Sequence, residues 1–101
     1  MAFQILSSYF KMAIEDQKYL DPLLSLLNKA LISHSEEASI FGLSGDIHFH
    51  LNNSKKAFEA YESSLNYGAT EYLMWSRYLL LGLELLEYDR VYENGLKAIE
   101  L

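Results

Sequence analysis

Asp46, His48 and His50 occur at alternate positions, and their residue types could bind a metal ion. A carboxylate and two imidazoles are common zinc ligands, but a structural zinc site normally has four ligands. On a helix, residues two apart point to different faces, whereas residues four apart share a face. Only Asp46 and His50 would face the same way. A metal-binding or enzymatic helical bundle that uses these three residues is therefore the alternative hypothesis and not the favoured one.

The other polar residues do not form a catalytic pattern. The sequence contains neither a Gly-x-Ser-x-Gly elbow nor a glycine-rich phosphate loop. It contains no cysteine, so thiolate chemistry and disulfide bonds are excluded. Neighbouring acids such as Glu36 and Glu37 are typical of solvated helix ends rather than of a general acid–base pair. We therefore predict that the protein is not an enzyme and holds no cofactor.

Charge and hydropathy exclude several kinds of partner. The chain has 14 acidic and 8 basic residues, a net charge of −6 and no basic stripe, so nucleic acid is not an expected partner. The most apolar window, residues 73–86, contains Arg77 and Glu84 and is shorter than the roughly 20 residues that span a bilayer. We predict no membrane insertion. The N-terminus lacks a signal-peptide pattern, so a cytoplasmic location is the default expectation, and a secreted or periplasmic parent protein stays open.

The apolar pattern predicts one all-α domain over residues 1–101. Val and Thr each occur once while Leu, Ala, Glu and Lys are common, which favours helix over strand. Half of the residues are apolar, which is enough for one core. Gly68 is placed to end a helix in the left-handed conformation. Six helices are predicted, with starts at Phe3, at Pro22 after an Asp21 cap, at Ser35–Glu37, at Ser54 after the Asn52–Asn53 turn, at Thr70–Glu71 and at Arg90 after an Asp89 cap.

The apolar pattern returns every 34 residues. Phe41 corresponds to Trp75, and Ala57 corresponds to both Leu23 and Val91. A helix pair cannot bury its own apolar face, so successive pairs must stack with a fixed rotation, and a fixed sequence period results. The period divides the chain into three repeats at about 4–37, 38–71 and 72–101.

At this spacing the chain resembles the tetratricopeptide repeat family. The family's motif positions fall in the middle repeat on Phe41, Gly45, His48, Ala57, Tyr61 and Ser64, and in the third repeat on Trp75, Tyr78, Val91 and Ala98. Leu79, Gly82 and Gly95 depart from the motif in the third repeat, and Ser7 and Lys11 do so in the first. The resemblance implies an α-α superhelix, in which six helices form antiparallel pairs stacked as a right-handed solenoid. Gly42 and Gly45 would then allow close contact between helices.

The resemblance also implies a concave groove lined by the first helix of each repeat. The lysines and asparagine with which the family's best-known clamp holds a terminal carboxylate are absent, so chaperone tails are not expected ligands. The apolar residues favour a peptide or helix of a partner protein, so we predict an interaction scaffold. Alternatively, these residues pack inside the array, and Arg77 either anchors an acidic group or is paired within the chain. The predicted groove residues are Met12, Ser39, Gly42, Asp46, Phe49, His50, Leu73, Ser76, Arg77, Leu80, Leu83 and Glu84.

The last predicted helix keeps an apolar side. Val91, Leu96 and Ile99 lie on it, whereas solenoids normally close with a polar capping helix. We therefore expect either that the chain is part of a longer array or that it forms a homo-oligomer through its terminal helices.

Overall fold

The computed structural model describes the backbone of residues 2–69 and 72–100 and the side chains of residues 3–69 and 72–95. Over these residues the chain is all-α, as predicted, and forms six α-helices and no strand. No helix among them is long and apolar enough to cross a membrane. The helices are α1 (Ala2–Glu15), α2 (Leu20–Ser33), α3 (Ala38–His50), α4 (Ser54–Asn66), α5 (Tyr72–Glu84) and α6 (Tyr88–Glu100).

The predicted start of α2 was wrong by two residues. A turn of 3-10 helix, Gln17–Tyr19, precedes α2 and runs directly into it at Leu20. Asp16 caps that turn, because its carboxylate accepts a hydrogen bond from the Lys18 N–H at 3.1 Å. Asp21 consequently lies inside the first turn of α2, where the helix dipole favours its negative charge.

Two other predicted starts also shift. α3 begins at Ala38 and not at Ser35, because residues 34–37 form a separate turn. In that turn the His34 ring contacts the Glu37 carboxylate at 2.8 Å. α6 begins at Tyr88 and not at Arg90. α4 begins at Ser54 as predicted, although its capping side chain is Asn53, and the predicted start at Thr70–Glu71 lies outside the described residues.

Three helices end through a residue in the left-handed conformation. These residues are Asn52 (φ 60°) after α3, Gly68 (φ 101°) after α4, as predicted, and Leu86 (φ 59°) after α5. The N–H that follows each donates to a carbonyl five residues back, as Glu87 does to Gly82 at 2.9 Å. Leucine is an unusual choice here, since its Cβ costs roughly 1–2 kcal/mol in this conformation.

The helices pack mainly on their neighbours in sequence and form three pairs, α1–α2, α3–α4 and α5–α6. The second helices of the pairs begin at Leu20, Ser54 and Tyr88, each 34 residues after the last. We call positions 34 residues apart equivalent. Equivalent positions are buried alike in α2 and α4, as Leu27 and Tyr61 show. The all-α class is confirmed, and the right-handed superhelical stacking stays a prediction.

The closest approach between paired helices occurs at Gly45. A Cβ on this residue would lie 2.5 Å from two ring atoms of Tyr61, so only glycine lets α3 and α4 come this near. The sequence analysis predicted such a contact. The core divides into a cluster around Leu23, Leu27 and Ile40 and a second cluster around Phe58, Tyr61 and Tyr78.

Candidate functional site

A cleft of about 550 Å³ runs along α3 between the first turns of α1 and α5. Its walls include the large apolar side chains of Phe3 on α1 and Leu73 on α5. The small residues Ser39 and Gly42 leave the space open, since a Cβ on Gly42 would lie 3.3 Å from the Ser64 hydroxyl. The cleft is therefore a consequence of small residues on α3 facing large ones on its neighbours.

The cleft brings together four of the predicted groove residues, namely Ser39, Gly42, Asp46 and Leu73. Among the described residues that line it, Asp46 is the charged one. Ligand sites are typically concave and mostly apolar, with a few polar groups that orient the ligand. The cleft has this composition.

Asp46 belongs to a set of contacts that we call the first tyrosine cluster, formed by Asp46, Phe49, Tyr61 and Arg77. The Asp46 Oδ1 atom accepts hydrogen bonds from the Tyr61 hydroxyl at 2.6 Å and from Arg77 Nη1 at 2.7 Å. The Arg77 guanidinium also lies over the Phe49 ring, 4.7 Å from its centroid. Arg77 is thus paired within the chain, which agrees with one of the two sequence hypotheses for this residue.

Burial and the hydrogen bond to Asp46 raise the pKa of Tyr61 above its ordinary value. The hydroxyl consequently stays protonated and keeps donating to the carboxylate at every physiological pH. Because Asp46, Tyr61 and Arg77 come from α3, α4 and α5, the cluster fixes three consecutive helices at the end of the cleft.

A second tyrosine cluster has the same plan and joins α4, α5 and α6. The Tyr78 hydroxyl donates to Glu62 Oε2 at 2.7 Å, and Glu62 also accepts from Arg90 Nε at 3.1 Å. The Arg90 guanidinium lies over the Phe58 ring, 4.8 Å from its centroid. The Asn94 amide donates to the Tyr78 hydroxyl at 2.8 Å. In both clusters a middle helix supplies the tyrosine, the preceding helix the acid and a ring, and the following helix the arginine.

Sequence reasoning missed Glu62, Arg90 and Asn94. Their contacts follow neither the helical period nor the 34-residue period. The signal that could have found them is the spacing of acid and tyrosine, 15 residues for Asp46 and Tyr61 and 16 for Glu62 and Tyr78, which is one helix and its turn.

The other predicted groove residues do not line the cleft. Phe49, Ser76 and Arg77 lie beyond its end, and Leu80, Leu83 and Glu84 are exposed further along α5. Met12 is half-buried on α1. His50 packs edge-on against Phe10, with ring centroids 5.7 Å apart, and lines a separate cavity of about 180 Å³.

The structure does not bring Asp46, His48 and His50 together as a ligand set. No group of three or more His, Cys, Asp or Glu side chains is placed to hold a metal ion within the described part of the chain. Asp46 is engaged by Tyr61 and Arg77. His48 is half-buried, and its Nδ1 atom has no hydrogen-bond partner.

The environment of His48 predicts a loss of stability in acid. Burial, followed by the nearby charge of Lys56, lowers the pKa of His48 below its ordinary value of 6.5. As the pH falls through 6.5, the unfolded chain gains a proton at His48 before the folded chain does, so the free energy of unfolding decreases. We expect His48→Phe to reduce this decrease, measured as the difference between urea midpoints at about pH 7.5 and about pH 5.5. An identical difference in wild type and variant would contradict the prediction.

Comparison of the chain with protein-family models, with curated proteins and with solved structures found no significant match. The site is therefore interpreted from its own geometry and from the register of the helices.

Proposed function

We propose that the protein is a tetratricopeptide-like interaction scaffold and that it binds an apolar segment of a partner protein in the cleft between α1, α3 and α5. The observation that carries this proposal is the cleft itself, a space of about 550 Å³ with apolar walls and a carboxylate at one end. The 34-residue spacing of the helix starts supports the repeat architecture on which the proposal rests.

The walls of the cleft supply the driving force for binding. Phe3 and Leu73 are large apolar residues that remain exposed at its rim. Covering each of them with an apolar side chain of a ligand contributes on the order of 1 kcal/mol. A short extended or helical segment that covers both side chains would bind without any rearrangement of the helices.

Asp46 supplies the orientation. Both of its hydrogen bonds fall on Oδ1, and its side chain remains partly exposed. A donor on the ligand, either a backbone N–H or a basic side chain, is the natural partner of this carboxylate. The ligand class that fits is therefore an apolar segment with a donor near one end, and the chain's net charge of −6 favours a basic donor.

Ser39→Arg is expected to abolish binding of a peptide selected from a random library against the wild-type protein. Ser39 is exposed on the cleft wall, so the longer side chain fills the cleft while the helix remains intact. Leu73→Glu is expected to weaken the same peptide more than about tenfold, because an apolar contact is replaced by a charge. Isothermal titration measures both effects.

Ile32→Glu is the matched control, since Ile32 on α2 is 81% exposed and lies outside the cleft. Its affinity for the peptide should equal that of the wild type. Circular dichroism establishes that all three variants are folded. Selected peptides that bind Ser39→Arg and Leu73→Glu as tightly as the wild type would place binding elsewhere and refute the proposal.

A further inference from the structure

The end of the molecule formed by α5 and α6 exposes apolar side chains at positions that are covered one pair earlier. Phe58 on α4 is buried and stacks on Tyr78 of α5, with ring centroids 4.6 Å apart. The equivalent residue on α6, Tyr92, is 68% exposed. Phe49 on α3 is half-buried against α5, whereas its equivalent, Leu83, is 55% exposed. This end therefore has the composition of a stacking surface.

The opposite end of the molecule presents the positions that α5 uses to contact α3 and α4. Tyr9 on α1 is equivalent to Arg77, and Phe10 is equivalent to Tyr78. Both are only half-buried in the described structure. Ile14, further along the same helix, is 51% exposed. The surface that α5 inserts into the internal joint is thus repeated on α1.

The two ends differ from the internal joint in a matched way. At the joint, Asp46 on α3 pairs with Arg77 on α5 at 2.7 Å. The position equivalent to Asp46 at the α5–α6 end is Leu80, and the position equivalent to Arg77 at the α1 end is Tyr9. An acid or an arginine at only one of these positions would leave an unpaired charge in a contact between the ends. Both have apolar or aromatic residues instead, so the two ends suit each other.

We propose that α1 of one molecule packs on α5 and α6 of a second copy, in the register that α5 uses on α3 and α4. Tyr9 then contacts Leu80 and Leu83 of the second copy, as Arg77 contacts Asp46 and Phe49 at the internal joint. The Phe10 ring stacks on Tyr92 of the second copy. The contact joins two different surfaces, so each added molecule leaves one of each free and the assembly grows with concentration.

The test measures the weight-average mass of the purified chain by sedimentation equilibrium over a range of concentrations. The wild-type mass is expected to rise with concentration. Leu80→Asp alone and Tyr9→Arg alone are each expected to raise the dissociation constant more than about tenfold, because each places an unpaired charge in the contact. The two substitutions combined in one chain recreate the Asp46–Arg77 pair across the contact, so association is expected to return.

Each other result overturns the proposal. A wild-type chain that is monomeric at every concentration would show that something other than a second copy covers the end. Association that is lost in Leu80→Asp but unchanged in Tyr9→Arg would indicate a two-fold contact between α5–α6 ends. A double variant no better than the single variants would refute the register. Thermal unfolding establishes that each variant is folded, and Ile14→Arg, at an exposed site on α1, replaces Tyr9→Arg as the α1 variant if that chain does not fold.

Discussion

Replacing Gly45 by alanine is expected to lower the free energy of unfolding by about 2 kcal/mol or more. The new Cβ would lie 2.5 Å from two ring atoms of Tyr61 and 2.9 Å from a third. The ring cannot turn aside, because Tyr61 is fully buried and its hydroxyl is held by Asp46. Moving it separates α3 from α4 or breaks the first tyrosine cluster. Either cost exceeds the roughly 1 kcal/mol by which alanine is favoured over glycine inside a helix.

Gly95→Ala is the matched control for Gly45→Ala. Gly95 also lies inside a helix, but a Cβ there would meet nothing within 4 Å. This variant is expected to be more stable than the wild type by about 0.5–1 kcal/mol, the helix propensity difference alone. Urea unfolding of both variants gives the comparison. Equal stability of the two variants would show that the contact between Gly45 and Tyr61 is not a close one.

Phe58→Ala is expected to lower the free energy of unfolding by about 3–5 kcal/mol. The Phe58 ring fills the joint between α4 and the last helix pair, with the Tyr78 ring stacked on it and the Arg90 guanidinium lying over it. Truncation leaves a cavity between two buried surfaces and removes the ring contacts as well. Urea unfolding measures the loss.

Tyr92→Ala is the control for Phe58→Ala, because Tyr92 occupies the equivalent position on α6 and is largely exposed. Its effect on stability is expected to stay within about 0.5 kcal/mol at concentrations where the chain is monomeric. The Phe58 cavity should also act locally. Amide hydrogen exchange in Phe58→Ala is therefore expected to accelerate in α5 more than in α2. Uniform acceleration along the chain would contradict a local joint.

Local patterns predicted most of the helices because the evidence for them is local. Gly68 takes the left-handed conformation that its place after an apolar helix indicated. The predicted starts of α2 and α3 were wrong because several residues could cap a helix and only one does. Asp16 caps a 3-10 turn that the apolar pattern does not reveal, and the contact between His34 and Glu37 closes a turn where Ser35 was expected to begin a helix.

The site was harder to predict than the helices. Family register placed Ser39 and Leu73 on one surface, and both line the cleft. The same register gave Leu80 and Leu83 the same role, yet they lie further along α5 and outside it. Register specifies which face of a helix a residue occupies. How far a cleft extends along that face depends on side-chain volumes from three helices at once.

By itself the sequence determined the helical class, the approximate extent of the helices and the 34-residue register, because these follow from the spacing of apolar and turn-forming residues along one chain. The tertiary structure alone decided which polar side chains meet. Asp46 and Arg77 are 31 residues apart, and Glu62 and Arg90 are 28 apart, so no local pattern couples them. Each pair forms because the packing of three helices brings an acid, a tyrosine and an arginine to one point, and that packing depends on the volumes of Gly45, Tyr61 and Phe58.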